Sequence, residues 1–440
     1  MNQPICAIST PYGAGGIAVI RVSGEQAMRV VDRIFAGRHA LEEAPAGTVR
    51  HGHIVRDGEV LDEVLCSVFR APHSFTGENT VEIACHGSLY IQQEMLRWLI
   101  DAGCRAAEPG EFTRRAFLNG KMDLAQAEAV ADLIAAQSKA EKDLALSQLR
   151  GSVSTELAKL RKRLLHFTSL IELELDFADH EELEFADRGE LTRLADEIAH
   201  KLQALLSSFR TGNAIRHGIP VAIIGAPNVG KSTLLNALLG EQRAIVSDIQ
   251  GTTRDTIEDT LVIDGILFRL IDTAGVRETT DTLENMGIER SRQAAANAQI
   301  IIHVKDNVES QETCPKVNGT VIEVLNKADL LDKNVTDKTQ GLCISAKYGE
   351  IEPLRRELVR VAGEGMQTSA VMLSNARHYE AVSRALEAIE RVQQGLSEGL
   401  SGELLSLDLQ DCLAALGEVT GQITNQEVLS NIFSKFCIGK

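Results

Sequence analysis

The segment "VAIIGAPNVGKST", residues 221–233, has the residue types and spacing of a phosphate-binding loop. An apolar strand pattern leads into a loop that ends at Gly230, and Lys231, Ser232 and a helical pattern follow. Glycines in such a loop let backbone amides surround phosphates at a helix N-terminus, where the helix dipole favours anions. Lys231 would reach the β- and γ-phosphates, and the Ser232 hydroxyl would bind Mg²⁺. The motif therefore predicts a nucleoside triphosphate site.

Three later segments predict that the nucleotide is GTP. In "IDTAG", Asp272 is placed to reach the Mg²⁺ shell, and Gly275 lets a backbone amide approach the γ-phosphate. In "NKADLL", the Asp329 carboxylate can accept hydrogen bonds from the ring N–H and the exocyclic amine of guanine, which adenine does not offer. The segment "CISAKYG" supplies a loop that can close over the base. Together these motifs favour GTP over ATP.

The residue after "DTAG" raises the question of how the attacking water is oriented. Small signalling GTPases place a Gln there, but Val276 cannot hydrogen-bond water. Two candidates for this role are Glu284 and the segment "SDIQGTTRDT", which can also deliver Thr253 to Mg²⁺. The carbonyls of that segment, together with Asn228, could hold a monovalent cation that replaces an arginine finger. Spacing alone leaves this cation a hypothesis, and equal hydrolysis rates in K⁺ and Na⁺ would remove it.

The predicted secondary structure that positions these motifs changes along the 440 residues. The chain begins with short β-like alternations and continues with long helical segments. Alternating strands and helices come next, and helices return at the end. The simplest account is a helical domain into which an α/β domain is inserted. The predicted domains are residues 1–119, 120–213, 214–365 and 366–440.

Composition restricts the class of protein. The chain is 44% hydrophobic and 24% charged, without an apolar run long enough to span a bilayer, which is typical of a soluble globular protein. The N-terminus lacks a signal-peptide pattern and the eight cysteines form no Cys-x-x-Cys pair, so reduced thiols and a cytoplasmic location are predicted. A net charge of −17 counts against a broad basic face for nucleic acid. The favoured interpretation of the acidic run 171–190 is a solvated helix face and loop, and the alternative is a docking surface for a basic partner.

Two short motifs suggest functions that their contexts do not favour. "GAGGIA", residues 13–18, fits a dinucleotide-binding fingerprint, but it runs into a strand pattern instead of a helix. The terminal "CIGK" has the outline of a prenylation box, yet Lys440 and Gly439 are poor fits to it. A reactive thiol at Cys437 and an ordinary tail remain the alternatives for this terminus.

Several segments resemble known GTPases. "GAPNVGKST", "IVSDIQGTTRDT", "DTAGVRE" and "NKAD" resemble the translation-factor-related P-loop GTPases. With "PYGAGGIAVIRVSG", "SFTGENTVEIACHG", "EPGEFTRRAFLNGKMDLAQAEAVADLI" and the terminal "FCIGK", the whole chain resembles the bacterial tRNA modification GTPase family MnmE, also called TrmE.

The resemblance implies a multidomain fold of α/β and α type. An N-terminal α/β domain binds 5-formyl- or methylene-tetrahydrofolate, a discontinuous helical domain follows, and a Ras-like P-loop G domain is inserted into it. The implied protein is a homodimer and a K⁺-stimulated GTPase. It forms a heterotetramer with a flavin-dependent partner, MnmG (GidA). Together the two proteins add an aminomethyl-type (carboxymethylaminomethyl) group to the wobble uridine of certain tRNAs. Contact with the tRNA is made largely with the partner. The alternative function is a ribosome-assembly or other GTPase switch without modification chemistry.

The resemblance also implies site residues. The folate contacts fall on Arg21, Glu82, Lys121 and Lys440. The catalytic residues are Glu284, Lys231 and Cys437, where Glu284 positions water and Cys437 is either a nucleophile or a structural thiol. The K⁺ ligands are Asn228, Ser247, Ile249 and Thr252, and the Mg²⁺ ligands are Ser232 and Thr253. The full set of GTP-binding residues is Asn228, Val229, Gly230, Lys231, Ser232, Thr233, Ser247, Ile249, Gln250, Gly251, Thr252, Thr253, Asp272, Thr273, Ala274, Gly275, Asn326, Lys327, Asp329, Ser345, Ala346 and Lys347.

One strand departs from the family pattern. In "IIHVKDNV", His303 and Lys305 occupy positions that are usually apolar in a central strand. We expect both to lie near the exposed end of that strand, and we do not expect His303 to be a metal ligand.

Overall fold

The computed structural model describes residues 3–176, 188–240, 259–271, 295–307, 319–330, 342–366 and 371–439. The chain divides into two compact units, Met1–Ala131 with Gly417–Lys440, and Asp132–Leu416. Among the described residues, none of the helices combines the length and the apolar character that a membrane span requires.

The first unit contains a seven-stranded sheet in the order β3-β4-β5-β6-β2-β1-β7. Its strands are β1 (Ile5–Ile8), β2 (Gly15–Ser23), β3 (Phe35–Gly37), β4 (Thr48–Arg56), β5 (Glu59–Phe69), β6 (Thr80–Gly87) and β7 (Arg105–Ala106). The neighbours β1 and β2, β2 and β6, and β5 and β6 are antiparallel, whereas β7 runs parallel to β1. Because "GGIAVIRVS" forms β2, the glycine fingerprint does enter a strand, as expected.

Alternation along the strands leaves one face of this sheet buried. In β6, Val81, Ile83 and Cys85 are buried, while Glu82 and His86 between and beyond them are more exposed. The buried side chains pack with those of helices α1 (Ala27–Asp32) and α2 (Leu89–Asp101) in one core cluster. Period-2 alternation with one covered face is what places Glu82 on the other face of the sheet.

The end of the chain packs into the first unit. Helices α3 (Glu111–Leu118) and α4 (Leu124–Ala135) precede it in sequence, and α12 (Gln426–Phe433) carries Phe433 into a cluster with Leu124 and Phe436. Gly110, with a φ of 65°, lies so close to this segment that a Cβ would come within 2.6 Å of the Phe433 carbonyl oxygen. Only glycine tolerates both the left-handed backbone and this close approach.

The second unit begins with a helical part. Its helices are α5 (Lys139–Leu149), α6 (Ser152–Asp176), α7 (Arg188–His217), α10 (Ala376–Glu398) and α11 (Gly402–Thr420). Gly212 of α7 lets the returning chain approach, since a Cβ there would lie 2.2 Å from the Leu373 carbonyl oxygen. Gln148 fastens the same segment from α5 by donating to the Met372 carbonyl oxygen at 3.1 Å and the Ser374 hydroxyl oxygen at 2.9 Å. The predicted helical texture on both sides of the α/β insertion is confirmed.

The inserted part is a six-stranded sheet in the order β13-β12-β11-β8-β10-β9. Its elements are β8 (Ile219–Ile224), α8 (Lys231–Gly240), β9 (Asp259–Ile263), β10 (Ile266–Leu270), β11 (Ile300–Lys305), β12 (Thr320–Leu325), β13 (Leu342–Cys343) and α9 (Glu352–Met366). All its pairings are parallel except that of β9 with β10. Helix α7 continues past residue 213, and residues 417–440 belong to the first compact unit. The division into four domains with three boundaries stays a prediction.

The cysteines in the described part of the chain are free thiols, as the composition predicts. Burial raises the pKa of Cys66 and of Cys412 to about 12, which keeps both protonated at neutral pH. Cys437 differs because it is exposed, and Cys314 lies outside the described residues.

The expectation for His303 was wrong. It is 3% exposed and lies within β11, next to Glu323 of β12, with its Nδ1 3.7 Å from a Glu323 carboxylate oxygen. Lys305 does lie at the end of the strand, and its ammonium pairs with the same carboxylate at 3.1 Å. The half-exposed Glu323 thus lies beside both polar side chains of β11 and pairs with Lys305.

Candidate functional site: a nucleotide pocket and a cationic pocket

The phosphate-binding loop connects β8 to α8. Two glycines begin and end it in positive-φ conformations, Gly225 at 147° and Gly230 at 100°. A Cβ on Gly225 would lie 2.2 Å from the Val304 carbonyl oxygen, so the loop can begin only with glycine beside β11. Asn228 also has a positive φ, of 64°. The backbone amides that precede α8 are therefore arranged in a turn, as phosphate binding requires.

Asn326 ties this loop to the base-recognition loops. It is 3% exposed and follows β12 directly. Its Nδ2 donates to the Val229 carbonyl oxygen at 2.9 Å, and its Oδ1 accepts from the Ala346 amide at 3.0 Å. A Cβ on Gly230 would lie 2.2 Å from that Nδ2, which gives a second reason for glycine there. The predicted residues Val229, Gly230, Asn326 and Ala346 are thus brought together.

Asp329 is positioned by the loop that was expected to close over the base. The Ser345 hydroxyl donates to Asp329 Oδ1 at 2.6 Å, and Ser345 itself is 1% exposed. The Ala328 amide donates to the Ile344 carbonyl oxygen at 3.0 Å, which joins the two loops next to the carboxylate. Asp329 is therefore held by its neighbours in one orientation, as a base-recognising carboxylate must be.

Lys231 and Lys327 both hold the phosphate-binding loop. The Lys231 ammonium donates to the carbonyl oxygens of Gly225 and Ala226 at 2.8 and 2.6 Å. The Lys327 ammonium donates to the Asn228 carbonyl oxygen at 2.9 Å and to Asp306 at 2.8 Å. Lys231 thus lies over the loop, where it can reach phosphates, while Lys327 fixes the residue proposed to contact a cation.

Sequence reasoning missed Asp306. This carboxylate follows β11 and anchors Lys327 across the mouth of the loop. The signal that could have found it is its place directly after a buried parallel strand, because ligands bind at the carboxyl ends of such strands.

Other predicted residues lie outside this constellation. The structure places Ser232 and Thr233 in the first turn of α8, and Lys347 beside the ring of Tyr348 at 5.2 Å. The predicted residues that lie outside the described ranges are Ser247, Ile249, Gln250, Gly251, Thr252, Thr253, Asp272, Thr273, Ala274, Gly275, Glu284 and Lys440.

A second candidate pocket lies in the first unit, around Arg21 of β2. The Arg21 guanidinium pairs with Glu82 of β6, its partner in the strand register, at 2.8 Å. It also lies over two aromatic rings, 5.3 Å from the centroid of Phe75 and 5.6 Å from that of Phe112. Its side chain is 14% exposed, so a guanidinium with a fixed orientation reaches the surface here.

Lys121 contacts the loop that carries Phe75. Its ammonium donates to the Pro72 carbonyl oxygen at 2.9 Å, and its aliphatic carbons lie 3.2 to 3.4 Å from where a Cβ of Gly77 would be. Arg21 and Lys121 thus both contact the loop that carries Phe75.

Two hydrogen bonds to backbone carbonyl oxygens hold residues 437–439 in the same unit. The Gly110 amide donates to the Cys437 carbonyl oxygen at 3.4 Å, and the Ser9 hydroxyl donates to the Gly439 carbonyl oxygen at 3.3 Å. The Cys437 side chain is exposed, so its thiol is accessible.

A network of charged residues that sequence reasoning missed supports this second pocket. Arg115, 3% exposed, donates to Glu78 at 3.0 Å and to Glu111 Oε1 at 3.2 Å, and Arg105 donates to both carboxylate oxygens of Glu111. Burial by itself would raise the pKa of the Glu111 carboxyl, but the hydrogen bond from Arg105 and the charges of both arginines outweigh burial and lower it. The network fixes the loop between Phe75 and Glu78. Its signal in the sequence is the charge density of "EPGEFTRR".

Similarity to known proteins covers the whole chain. The family model described as "MnmE helical domain" matches residues 124–437, and the one described as "GTP-binding protein TrmE N-terminus" matches residues 4–121. A tRNA modification GTPase MnmE from Parabacteroides distasonis is 54% identical over 99% of both chains, and one from Bacteroides thetaiotaomicron is 50% identical over 100% of both. Among solved structures, the G domain of the T. maritima FeoB iron transporter covers 34% of this chain and 99% of its own, with 24% identity and a TM-score of 0.22.

A glycine loop at the carboxyl end of β8 in a mostly parallel sheet, tied by Asn326 to the loop that holds Asp329 through Ser345, is the arrangement of a P-loop GTPase. The coverage of both family models and of the relatives is nearly complete. The chain belongs to the MnmE family of tRNA modification GTPases.

Proposed function

We propose that this GTPase is stimulated by K⁺ and works in the cytoplasm with the flavin-dependent partner MnmG (GidA). Using a tetrahydrofolate one-carbon unit, the two add a carboxymethylaminomethyl-type group to the wobble uridine of certain tRNAs. The protein acts as a homodimer within a heterotetramer with MnmG. The observation that carries the folate part is the Arg21 guanidinium, stacked on two phenylalanines and paired with Glu82. The names of the relatives favour this function over a GTPase switch without modification chemistry.

In the nucleotide pocket, each side chain has one task. Lys231 neutralises charge on the β- and γ-phosphates, and the Ser232 hydroxyl would hold Mg²⁺, which supplies charge neutralisation of the phosphates when bound. Asp329 accepts hydrogen bonds from guanine. Asn326 keeps the phosphate loop and the base loop in a fixed relation through its two hydrogen bonds. The proposed catalytic machinery also includes Glu284, Asp272 and Thr253, which lie outside the described residues.

The K⁺ part of the proposal rests on Asn228. Its carbonyl oxygen is occupied by Lys327, and the residue is exposed at the tip of the loop, so its carboxamide is the group that can face a cation. An amide oxygen is a suitable ligand for a hard monovalent cation. Ser247, Ile249 and Thr252 would supply the other oxygens, and a bound cation would stabilise charge in the transition state.

Replacing K⁺ with Na⁺ is expected to slow GTP hydrolysis by about 10²-fold, the effect of losing one transition-state charge contact. The variant Asn228→Gly should hydrolyse GTP slowly in both salts, because glycine keeps the positive φ but lacks the carboxamide. Single-turnover rates in matched KCl and NaCl measure this, and GDP affinity serves as the control for an intact loop. Equal wild-type rates in the two salts would contradict the K⁺ proposal.

The residues of the second pocket fit a reduced folate. The Glu82 carboxylate suits the donor edge of the pterin, and Arg21, which pairs with it at 2.8 Å, holds that carboxylate in place. The Lys121 ammonium suits a carboxylate of the glutamate tail, and Lys440 would add a second ammonium. Folate supplies the one-carbon unit when bound, while this chain's residues bind and orient it. The exposed Cys437 thiol is proposed as a nucleophile, with a structural role as the alternative.

The variant Arg21→Gln is expected to weaken binding of 5-formyl-tetrahydrofolate by about 10- to 100-fold, since a hydrogen bond to a charged group contributes about 1.5–3 kcal/mol. Fluorescence titration of the purified protein measures the affinity. Arg29→Gln is the matched control, because Arg29 is an exposed arginine of α1 in the same unit. If Arg21→Gln bound the folate as tightly as the wild type, the assignment of this pocket would be wrong.

A further inference from the structure

Helix α6 carries a line of basic side chains on its exposed side. Lys159, Lys162, Arg163 and His166 are spaced i, i+3, i+4 and i+7, so they share one helical face, and all four are exposed. On the same face, Thr155 continues the line towards the helix N-terminus. The line spans about 16 Å along the helix at 1.5 Å per residue.

This line continues into an open groove at the start of α6. The groove has a volume of about 430 Å³ and is lined by Arg150, Lys159 and the hydroxyl side chains of Ser147, Ser152 and Thr155, among others. The Ser147 hydroxyl donates to that of Ser152 at 3.1 Å, which places the two hydroxyls side by side. Cations and hydroxyl groups therefore converge at one place.

Helix α7 adds cations beside this line. It packs against α6, and Arg163 pairs with Glu197 of α7 at 2.6 Å. Arg193 and Lys201 lie one turn before and one turn after Glu197, on the same exposed side of α7. We call the surface formed by Arg150, Lys159, Lys162, Arg163, Arg193 and Lys201 the basic face.

The acids on and around the basic face number five, one fewer than its six cations. The exposed Glu190 and Asp196 lie three residues before and after Arg193 on α7. Glu156 in the groove pairs with Lys159 at 3.1 Å, Glu197 pairs with Arg163, and Asp143 in the groove pairs with Lys142. Such exposed ion pairs are weak, and phosphates can replace their carboxylates at little cost. In a chain with a net charge of −17, a surface on which cations outnumber acids is unexpected.

We infer that the basic face binds the phosphate backbone of the tRNA that this family modifies. Lys and Arg side chains that neutralise phosphates release counterions, which supplies most of the affinity for RNA and makes it depend on salt. Hydroxyl groups such as those of the groove commonly donate to phosphate oxygens and fix the register of the nucleic acid. The inference rests on the proposed function only in taking tRNA as the substrate. It implies that this chain contributes to tRNA binding in addition to the partner.

An acidic protein surface is the competing occupant of the basic face. RNA is favoured over an acidic protein because the groove offers more than cations. It also contains hydroxyl donors and the first turn of a 25-residue helix. Those groups are suited to phosphate oxygens at a helix N-terminus. The family's activity also supplies a polyanion as substrate.

The test compares two double variants of the full-length protein. Lys159→Gln/Lys162→Gln removes two exposed charges from the basic face, and Arg356→Gln/Arg360→Gln removes two exposed charges from α9 as the matched control. Affinity for tRNA is measured by fluorescence anisotropy at several salt concentrations, with and without MnmG. We expect the first variant to lower affinity about tenfold or more at low salt and to reduce the slope of log K against log[salt] by about 2. The control should match the wild type.

Separate readouts distinguish failure of this inference from failure of the proposed function. GTP hydrolysis and binding of 5-formyl-tetrahydrofolate should be unchanged in both variants, because neither residue pair belongs to those sites. If both variants bind tRNA as the wild type does, alone and with MnmG, the inference is overturned. If tRNA binding is unchanged but assembly with MnmG weakens in the basic-face variant, the face binds an acidic protein surface instead.

Discussion

Replacing Asp329 with Asn is expected to lower the preference of this protein for GTP over ATP by about 10⁴-fold. A carboxylate accepts hydrogen bonds from both the ring N–H and the exocyclic amine of guanine. An Asn amide has one acceptor and presents N–H groups to the same edge, so one donor on each side loses its partner. The Ser345 hydroxyl, which donates to Asp329 Oδ1 at 2.6 Å, still orients the side chain, so the loss falls on base recognition.

Affinities for GTP, ATP and XTP, measured by calorimetry, test this prediction. Because xanthine has a carbonyl where guanine has an amine, the variant should gain affinity for XTP, which an unfolded protein cannot do. Asp264→Asn is the control, since Asp264 is exposed in the turn between β9 and β10 and its φ of 48° suits Asn. An unchanged ratio of GTP to ATP affinity would show that another group recognises the base.

Replacing Lys231 with Ala is expected to reduce the rate constant of GTP hydrolysis by about 10³-fold. The Lys231 ammonium is the charge that can stabilise the β- and γ-phosphate oxygens as negative charge shifts in the transition state. Its contacts with the Gly225 and Ala226 carbonyl oxygens already hold it over the loop, so little reorganisation is needed. Nucleotide affinity should fall as well, because the ammonium is expected to contact the phosphates of bound GTP.

Single-turnover hydrolysis at saturating GTP separates the rate from the affinity. Lys305→Ala is the control: Lys305 lies in the same sheet, and its ion pair with Glu323 is partly exposed. It should hydrolyse GTP as the wild type does. A Lys231→Ala protein with the wild-type rate constant would remove the lysine from the catalytic machinery.

The described residues of the predicted nucleotide site could be named from the sequence because each part of the site is a short motif. The residues 225–232 form a strand–loop–helix unit in which spacing along the chain determines spacing in space. Asn326 and Asp329 are also close to each other in sequence, since both follow the end of β12. Asp306 was missed because it stands alone in sequence and meets Lys327 only across the sheet edge.

The expectation for His303 failed because a strand pattern does not reveal what lies beside it. From the sequence alone, a histidine in a central strand is expected to lie where its imidazole reaches solvent. In the fold, Glu323 is its register partner on β12, and this carboxylate brings polar surroundings to the buried position.

From its residues alone, this chain is a GTP-binding protein with an α/β insertion between helical segments, because those features depend on short motifs and on local periodicity. Only the tertiary structure decided that Arg21 stacks on Phe75 and Phe112, that Arg115 holds the loop beside them, and that basic residues of α6 and α7 share one surface. These contacts join residues far apart in the chain. Their distances depend on how strands and helices pack, which no local spacing determines.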